Sequence, residues 1–252
     1  LKERNFLFCC LIIRGLYAVL YASTYLLPLL MQQLMGYDAT TSGFVLSPAG
    51  LFTMVEVPFV GFMLTRGYDP RKMVFGGLLL MASSLWWMAS MSLDAAEWNF
   101  IVPRIVQVLG MGLITVPVST MIFRFIPKTE SSQAAGLYAL VRNEGGSLGI
   151  AAVSTLLQRR AQMFQQTLGQ HVTASNGLVQ QVVGQAVAGP GNAADNHYFA
   201  LAEIYAAMQR QAMMLSYMEQ FKILCGVLVC MLPLVFFLKR PPVEKHIALD
   251  AH

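Results

Sequence analysis

Charged side chains are scarce in this chain of 252 residues: Asp, Glu, Lys and Arg make up 12% of it, and 56% is hydrophobic. Soluble domains carry about 25% charged residues, so a globule of this size would lack the polar surface that water requires. Intrinsic disorder is excluded as well, because aromatic and β-branched residues are plentiful. A membrane protein is the class that remains.

Cysteine and histidine are also few, with four of each. The cysteines all lie inside apolar runs without the spacing of a metal site, so we interpret them as small buried hydrophobic residues. The net charge of +4 comes from basic residues at the ends of apolar runs, which does not favour a nucleic-acid partner. The His-Glu-x-x-His pattern, Ser-Lys pairing and paired aspartates of intramembrane enzymes are absent from the apolar runs. We therefore expect no enzyme, no metal and no cofactor.

Long apolar segments are abundant by contrast. A hydrocarbon core of about 30 Å needs roughly 20 helical residues to cross it, and strands of a membrane barrel would alternate apolar and polar residues instead. We predict an all-α membrane protein, a bundle of six transmembrane helices. The predicted spans are 6–34, 43–65, 73–92, 98–123, 132–158 and 211–238.

The basic residues divide unevenly between the two sets of helix ends, with ten on one side and three on the other. Cytoplasmic ends carry the excess of Lys and Arg, so both termini are predicted to be cytoplasmic. The domains expected are 1–158 with five helices, 159–210 as a periplasmic or extracellular loop with short helices, 211–238 as the sixth helix, and 239–252 as a cytoplasmic tail. The chain begins at Leu1 without a signal-peptide pattern, so we expect that an N-terminal portion of a longer protein precedes it.

Several ionisable residues fall inside the spans, where insertion at a helix centre costs about 2.5–3.5 kcal/mol. Glu56 and Glu144 lie near the middle of the second and fifth helices, and Arg142 and Asn143 immediately precede Glu144. A carboxyl in a low-dielectric environment favours its neutral, protonated form, which is the property that a proton-coupling site needs. A permanently neutral or salt-bridged glutamate is the alternative for each.

Polar residues line one face of two helices, at steps of three and four residues. On the first helix they are Arg14, Tyr17, Tyr21, Tyr25, Pro28 and Gln32. On the fourth they are Arg104, Gln107, Met111, Thr115 and Ser119. These faces either line a wet cavity or join packed helices through hydrogen bonds.

Two local contacts are also predicted. Gly145 and Gly149 form a small-xxx-small pair that lets another helix approach closely. Glu219 and Lys222 stand about one turn apart near the water boundary, where we expect a local ion pair.

Four stretches carry a family pattern in the order LLPLLMQQLMGYDATTSGFVLSPAG (26–50), GFMLTRGYDPRK (61–72), PRIVQVLGMGLITVPVST (103–120) and ALVRNEGGSLGIA (139–151). Together they resemble the C-terminal half of the EmrB/QacA family, the fourteen-span drug:proton antiporters of the major facilitator superfamily. The second stretch is similar to the superfamily's cytoplasmic loop motif. The matching residues are Gly61, Arg66, Gly67, Asp69 and Arg71. Thr65 stands where the motif commonly has Asp, which removes the acid that latches the cytoplasmic ends in the family.

The resemblance implies a six-helix bundle that packs against a missing N-terminal bundle. It implies that the substrate binds near the midplane between the two bundles, and that the first, second, fourth and fifth helices line the cavity. It implies a multidrug antiporter of the inner membrane that is driven by the proton gradient without a cofactor. Proton-coupling candidates are Glu56, Glu144, Arg142 and Arg104. Substrate-cavity candidates are Arg14, Tyr21, Tyr25, Gln32, Gln107, Met111, Thr115 and Asn143.

The partners implied are the lipid bilayer and amphipathic or cationic small molecules, with a periplasmic adaptor protein and an outer-membrane channel in Gram-negative members of the family. Two other functions stay open at this point. One keeps the fold and changes the cargo to a metabolite or siderophore. The other is a membrane scaffold or sensor that transports nothing.

Overall fold

Helices make up nearly all of the part of the chain that the structure describes. A computed structural model of the protein describes residues 4–93, 95–124, 131–171, 177, 180–181, 183–184 and 193–238, and no strand occurs in these ranges. The six long helices are α1 (Arg4–Leu34), α2 (Ala39–Thr65), α3 (Pro70–Met88), α4 (Trp98–Arg124), α5 (Ser131–His171) and α6 (Ala193–Phe236). The predicted all-α architecture of six helices is confirmed. The predicted tail, 239–252, lies outside the described residues.

Two tight turns separate α1 from α2 and α2 from α3. Gly36 and Gly67 have φ values of 72° and 84°, which is the left-handed region that a glycine adopts without steric cost. Asp38 then caps α2 by accepting a hydrogen bond from the Thr41 amide at 3.2 Å. Asp69 caps α3 in the same way through the Arg71 amide at 3.2 Å, and Pro70 occupies the first helical position. These turns set the antiparallel order of the first three helices.

Two helices are longer than the apolar segments that predicted them. Helix α5 runs 41 residues, to His171 instead of 158, and α6 runs 44 residues, from Ala193 instead of 211. The added segments are rich in Ala, Gln, Met and Arg, which are good helix formers, so the end of an apolar run does not end the helix. At 1.5 Å per residue each helix is about 60 Å long, roughly twice the thickness of a bilayer core.

Four of the helices are apolar enough, by length and composition, to cross a membrane. They are Phe6–Leu34, Ala39–Thr65, Trp98–Phe123 and Asp195–Phe236. Helix α3 has only 19 residues and carries Arg71 and Lys72 directly after Pro70, and α5 carries Arg142 and Glu144 in its first half. Helices α3 and α5 do not meet this criterion by themselves. They belong to the bundle through their packing, α3 against α4 and α6, and α5 against α1 and α6.

Helix α1 lies in the core of the bundle. Its side chains Ile12, Leu16, Leu26 and Met31 have no exposed surface. Helix α1 packs mainly against α5 and α6, α3 packs against α4, and α6 also contacts α3 and α5. Helix α2 packs chiefly against α4 and is the most exposed of the six, because most of its large apolar side chains face outward. A helix that is apolar on all sides suits lipid or a second bundle of helices.

Candidate transport cavity and proton site

A buried hydrogen-bond network joins α4 to α1. Arg104 donates to the Gln107 carboxamide oxygen at 2.5 Å and to the Thr24 hydroxyl at 2.7 Å. Gln107 in turn donates to the Ser23 hydroxyl at 2.8 Å. Gln107 and Ser23 are 0% and 1% exposed and Arg104 is 9% exposed, so these three residues lie inside the bundle, while Thr24 is exposed. The network supplies hydrogen-bond partners to a cation that is largely withdrawn from solvent.

The sequence predicted two of these four residues. Arg104 and Gln107 belong to the polar face of α4, and the structure brings them together. Ser23 and Thr24 were missed, although Thr24 follows Tyr17 by seven residues and Tyr21 by three and so lies near the predicted polar face of α1. In this structure Gln107 therefore joins two helices and has no surface open to a cavity.

Glu56 lies where α2 packs on α4. Its side chain is only 6% exposed, and neither carboxyl oxygen has a hydrogen-bond partner among the described residues. The carboxyl lies against Gly112 of α4, where a Cβ atom would overlap it. The structure thus turns this glutamate toward a neighbouring helix, and it forms no salt bridge among the described residues. A charge buried in such a place without a partner is costly.

Glu144 occupies the opposite kind of environment. Glu144 and Asn143 are exposed on α5, and Glu144 forms no ion pair within the described part of the chain. Arg142, two residues earlier and therefore on another face of the helix, is half-buried with its guanidinium over the Tyr17 ring at 5.6 Å. The Arg142 Nε is buried and has no hydrogen-bond partner within the described ranges. The two glutamates are thus not brought together, and the predicted polar cluster of α5 divides between a buried and an open face.

The polar face of α1 divides in the same way. Arg14, Tyr25 and Gln32 are exposed, while Tyr21 is half-buried and contacts Tyr17 edge-on at 5.8 Å between ring centroids. On α4, Met111 and Thr115 are half-buried. Among the predicted cavity residues, Arg14, Tyr25, Gln32 and Asn143 are thus exposed, as is the proton-coupling candidate Glu144.

Glycines of α5 allow α1 to approach closely, as predicted. A Cβ on Gly145 would meet the backbone of Arg14, and one on Gly149 would meet the backbone of Ala18. Gly146 makes room for the Tyr21 ring. The contact fixes the rotation of both helices and hence which of their polar residues stay open.

The cytoplasmic loop motif forms the turn between α2 and α3. Gly61 lies in open space on α2, Gly67 has its left-handed φ, and Arg66 stacks on the Phe62 ring at 4.3 Å. The Thr65 hydroxyl donates to its own helix, to the Phe62 carbonyl at 2.8 Å. Position 65 therefore makes the local bond of a helix end in place of the acid latch. The Arg71 Nε is buried without a hydrogen-bond partner among the described residues.

Helix α6 is tied to its neighbours by contacts that the sequence did not predict. Arg210 donates to the Leu34 carbonyl at the end of α1 at 2.9 Å, and Tyr217 donates to the Gln33 side chain at 3.0 Å. Glu219 pairs with Arg160 of α5 at 3.2 Å. The predicted local pair of Glu219 with Lys222 is wrong, because an arginine on another helix lies closer to the carboxylate and Lys222 points outward.

A bundle of long apolar helices that keeps a buried cation, a buried acid and an open polar face has the features of a membrane transporter. Residues 1–157 match the family model of the Major Facilitator Superfamily, and the chain belongs to that superfamily.

Curated relatives agree with this assignment. The chain is 26% identical over 245 residues to the multidrug export protein EmrB of Escherichia coli K12, which covers 95% of this chain and 46% of that protein. It is 24% identical over 241 residues to the colistin resistance protein EmrB of Acinetobacter baumannii, covering 95% and 47%. It is 26% identical over 172 residues to the fatty acid resistance protein FarB of Neisseria gonorrhoeae, covering 68% and 34%. The chain spans about half the length of the first two relatives, and these likenesses confirm the predicted resemblance to EmrB-type transporters.

Proposed function

We propose that this chain is the C-terminal half of a proton-coupled multidrug efflux transporter of the inner membrane. The observation that carries the proposal is Glu56, a carboxyl that is 6% exposed and has no hydrogen-bond partner among the described residues. The names of the relatives EmrB support export of drugs, and membership of the superfamily supports a transporter with two bundles.

Proton coupling needs an acid whose protonated and ionised forms favour different conformations. Protonated Glu56 is compatible with its buried place against α4, whereas an ionised carboxylate without a partner is costly there. Release of the proton therefore favours a conformation in which Glu56 reaches water or a cation. This differential stability is what allows a proton gradient to bias a two-state transporter.

Glu144 is the second candidate and acts differently. Because it is exposed on the open face of α5, it is placed to attract a cationic group of a substrate, and neutralisation would weaken that attraction. The exposed Tyr25 and half-buried Met111 would add adaptable contacts, since aromatic and thioether groups suit varied amphipathic molecules.

Orientation and partners follow from the same proposal. The excess of Lys and Arg on one set of helix ends supports a cytoplasmic side for both termini of this chain and a periplasmic side for the outer segments of α5 and α6. Exposed aromatic residues on the outer part of α6, among them Tyr198, Phe199 and Tyr205, offer an apolar surface to a periplasmic adaptor protein. The N-terminal bundle would cover the open face of α1, α2 and α5.

The test measures drug efflux from vesicles of the complete transporter under an imposed pH gradient, with variants Glu56→Gln and Glu144→Gln. We expect Glu56→Gln to abolish the response to the gradient, and Glu144→Gln to lower affinity for cationic drugs. Retention of wild-type coupling by both variants would show that the proton assignment is wrong. Cysteine accessibility at Tyr25 would at the same time separate a transporter with a wet cavity from a dry membrane scaffold.

One observation favours a different cargo within the same fold. Arg104 has no carboxylate partner among the described residues, and its hydrogen-bond partner Thr24 is exposed. A cation in this position suits an amphipathic acid, and one relative is named for fatty acid resistance. Competition between a cationic dye and a fatty acid for efflux, in wild type and Arg104→Gln, distinguishes the two cargoes.

A further inference from the structure

Gly112 of α4 and Glu56 of α2 are in direct contact where the two helices pack. Both residues are buried. A Cβ on Gly112 would overlap the carboxyl carbon and both oxygens of Glu56, so the carboxyl occupies the space that any other residue's side chain would fill. We propose that Gly112 is a positioning residue for Glu56. The protonated carboxyl packs against the bare backbone of α4 at Gly112, and the ionised carboxylate moves out of this place. The contact between α2 and α4 therefore closes when Glu56 is protonated and opens when it loses the proton. The inference rests on the proposed role of Glu56 in proton coupling.

The space on α4 is specific to Glu56. Gly110, two residues earlier, faces α3, where a Cβ would meet Met81 and the Gly77 carbonyl. Two residues are about 200° apart around a helix, so the two glycines serve opposite neighbours. Gly110 is therefore a close-packing glycine of α3 and α4, and Gly112 is a glycine that accommodates an ionisable side chain.

Helix α2 presents an apolar face to α4 apart from Glu56. Its buried residues are Ser42, Val45, Ala49, Glu56 and Val60, and Glu56 is the one ionisable residue between Ala39 and Thr65. Steps of four and seven residues put Val45, Ala49, Glu56 and Val60 on one side of the helix. A charge in the middle of this face would separate α2 from α4, whereas a neutral carboxyl packs with the apolar residues around it.

Charged groups on the packed helices do not neutralise Glu56. On α4, Arg104 lies eight residues before Gly112, about 12 Å along the axis, and its guanidinium is held by Gln107 and Thr24 on the side of α1. Arg124 lies twelve residues beyond, about 18 Å away along the axis. The titratable groups of α1 between Phe6 and Leu34 are Cys9, Cys10, Arg14, Tyr17, Tyr21 and Tyr25. Among the side chains that the structure describes, none forms a hydrogen bond or ion pair with Glu56.

Helix α4 thus contacts Glu56 on one side and carries the Arg104–Gln107 hydrogen-bond network on another. Gln107 and Gly112 are five residues apart, about 140° around α4. A displacement of α4 from α2 therefore reaches Ser23 and Thr24 of α1 through Arg104 and Gln107. This places α4 as the element that transmits the protonation of Glu56 to the central helix of the bundle.

The test uses Gly112→Ala in the complete transporter, reconstituted in vesicles, with the pH dependence of drug efflux as the readout. An added methyl displaces the Glu56 carboxyl toward water, so we expect the pH of half-maximal efflux to move by about one unit toward acid. The matched control is Gly110→Ala, which crowds α3 and should lower the melting temperature without moving the pH profile. Glu56→Asp combined with Gly112→Ala shortens the acid by one methylene, and we expect it to restore the wild-type profile.

A second measurement does not depend on the folding of the Gly112 variant. Spin labels at two exposed positions, Val55 of α2 and Thr120 of α4, report the distance between the helices after the exposed Cys230 is replaced by Ala. We expect the distance to increase as pH rises in the otherwise native protein and to be constant in Glu56→Gln. An equal response to pH in both proteins, or an unchanged efflux profile in folded Gly112→Ala, overturns the inference. If Glu56→Gln itself retains coupled efflux, the proposed function fails instead.

Discussion

Arg104 of α4 donates a hydrogen bond to the Thr24 hydroxyl of α1 at 2.7 Å, so a buried cation on one helix is held by an alcohol on another. The Thr24 hydroxyl itself donates to the Leu20 carbonyl at 2.7 Å, and Ser23 donates to the same carbonyl at 2.9 Å. The guanidinium is therefore bound to a chain of groups that ends in the backbone of α1. Such a network keeps α1 and α4 in register, because each member would be left unpaired if one helix rotated.

The first prediction concerns this network. Replacing Gln107 by Leu removes two buried hydrogen bonds, one from the Arg104 Nη1 and one to the Ser23 hydroxyl. Because the guanidinium then lacks a partner away from water, the folded protein should be destabilised by about 1–3 kcal/mol. The measurement is unfolding of the purified protein in detergent by denaturant. Thr120→Ala is the control, since Thr120 is exposed on the same helix and bonds only to its own backbone. Equal stability of the two variants would show that the network contributes little.

The second prediction concerns the close approach of α1 and α5. Gly149→Ala places a methyl against the Ala18 backbone and should destabilise the bundle by about 1–3 kcal/mol through overpacking. Gly136→Ala is the matched control on the same helix, because nothing lies within 4 Å of its Cβ position. Alanine is the better helix former by about 0.5–1 kcal/mol, so the control should be neutral or stabilising. In thermal melts in detergent, the melting temperature should therefore fall for Gly149→Ala and stay the same or rise for Gly136→Ala.

The third prediction concerns the turn of the cytoplasmic loop motif. Gly67 has a φ of 84°, and a side chain in the left-handed region costs about 1–2 kcal/mol. Gly67→Ala should destabilise the connection between α2 and α3 by that amount. Gly61→Ala, within α2 and with open space at its Cβ, should be tolerated. Limited proteolysis at this turn is the measurement, and similar cleavage rates for both variants would contradict the assignment of strain to position 67.

The fourth prediction concerns the ion pair between Arg160 and Glu219. The two side chains are 38% and 32% exposed, so solvent screens their attraction and we expect a coupling energy of only about 0.2–1 kcal/mol. A double-mutant cycle with Arg160→Ala and Glu219→Gln measures it, and the coupling should decrease at high salt. Lys222→Ala should show no coupling to Glu219→Gln. Coupling to Lys222 in place of Arg160 would restore the local pair that the spacing predicted.

The fifth prediction is a pH dependence at the turn between α1 and α2. Hydrogen bonds from the Thr41 side chain and amide lower the pKa of the Asp38 carboxyl. A group whose pKa is lower in the folded than in the unfolded state stabilises above its unfolded pKa, and that contribution is lost as pH falls through the folded pKa. The cap should therefore be intact near neutrality and weaken in acid. Asp38→Asn keeps an oxygen for the cap without a titrating charge, so its melting temperature should depend less on pH between about 3 and 7.

Some of the candidate site followed from periodicity. The stripe of α4 brought Arg104 and Gln107 to one face, and the glycines of α5 indicated a close approach that the structure places against α1. The partners on α1 did not follow, because spacing along one helix shows which residues share a face and not which helix that face meets. Glu219 illustrates the limit: its sequence neighbour Lys222 was a reasonable partner, and Arg160 on another helix is the actual one.

The lengths of α5 and α6 show a second limit. The apolar runs ended near 158 and began near 211, and the helices continue to His171 and from Ala193. The end of an apolar run indicates where the chain would leave the membrane. The end of a helix depends instead on backbone hydrogen bonds and on local helix propensity. The two boundaries coincide where a turn residue such as Gly36 or Gly67 interrupts the backbone at the end of the apolar run.

The sequence by itself determined the membrane class, the six helices, the capped turns and the likeness to a transporter family, because apolar length, charge content and turn residues act locally along the chain. Only the tertiary structure decided that Glu56 is buried against Gly112 while Glu144 is open, and that Arg104 is bound to α1. Burial depends on the rotation and neighbours of each helix, which are set by packing among residues far apart in sequence. Two glutamates at similar depths in their helices thus acquire opposite environments.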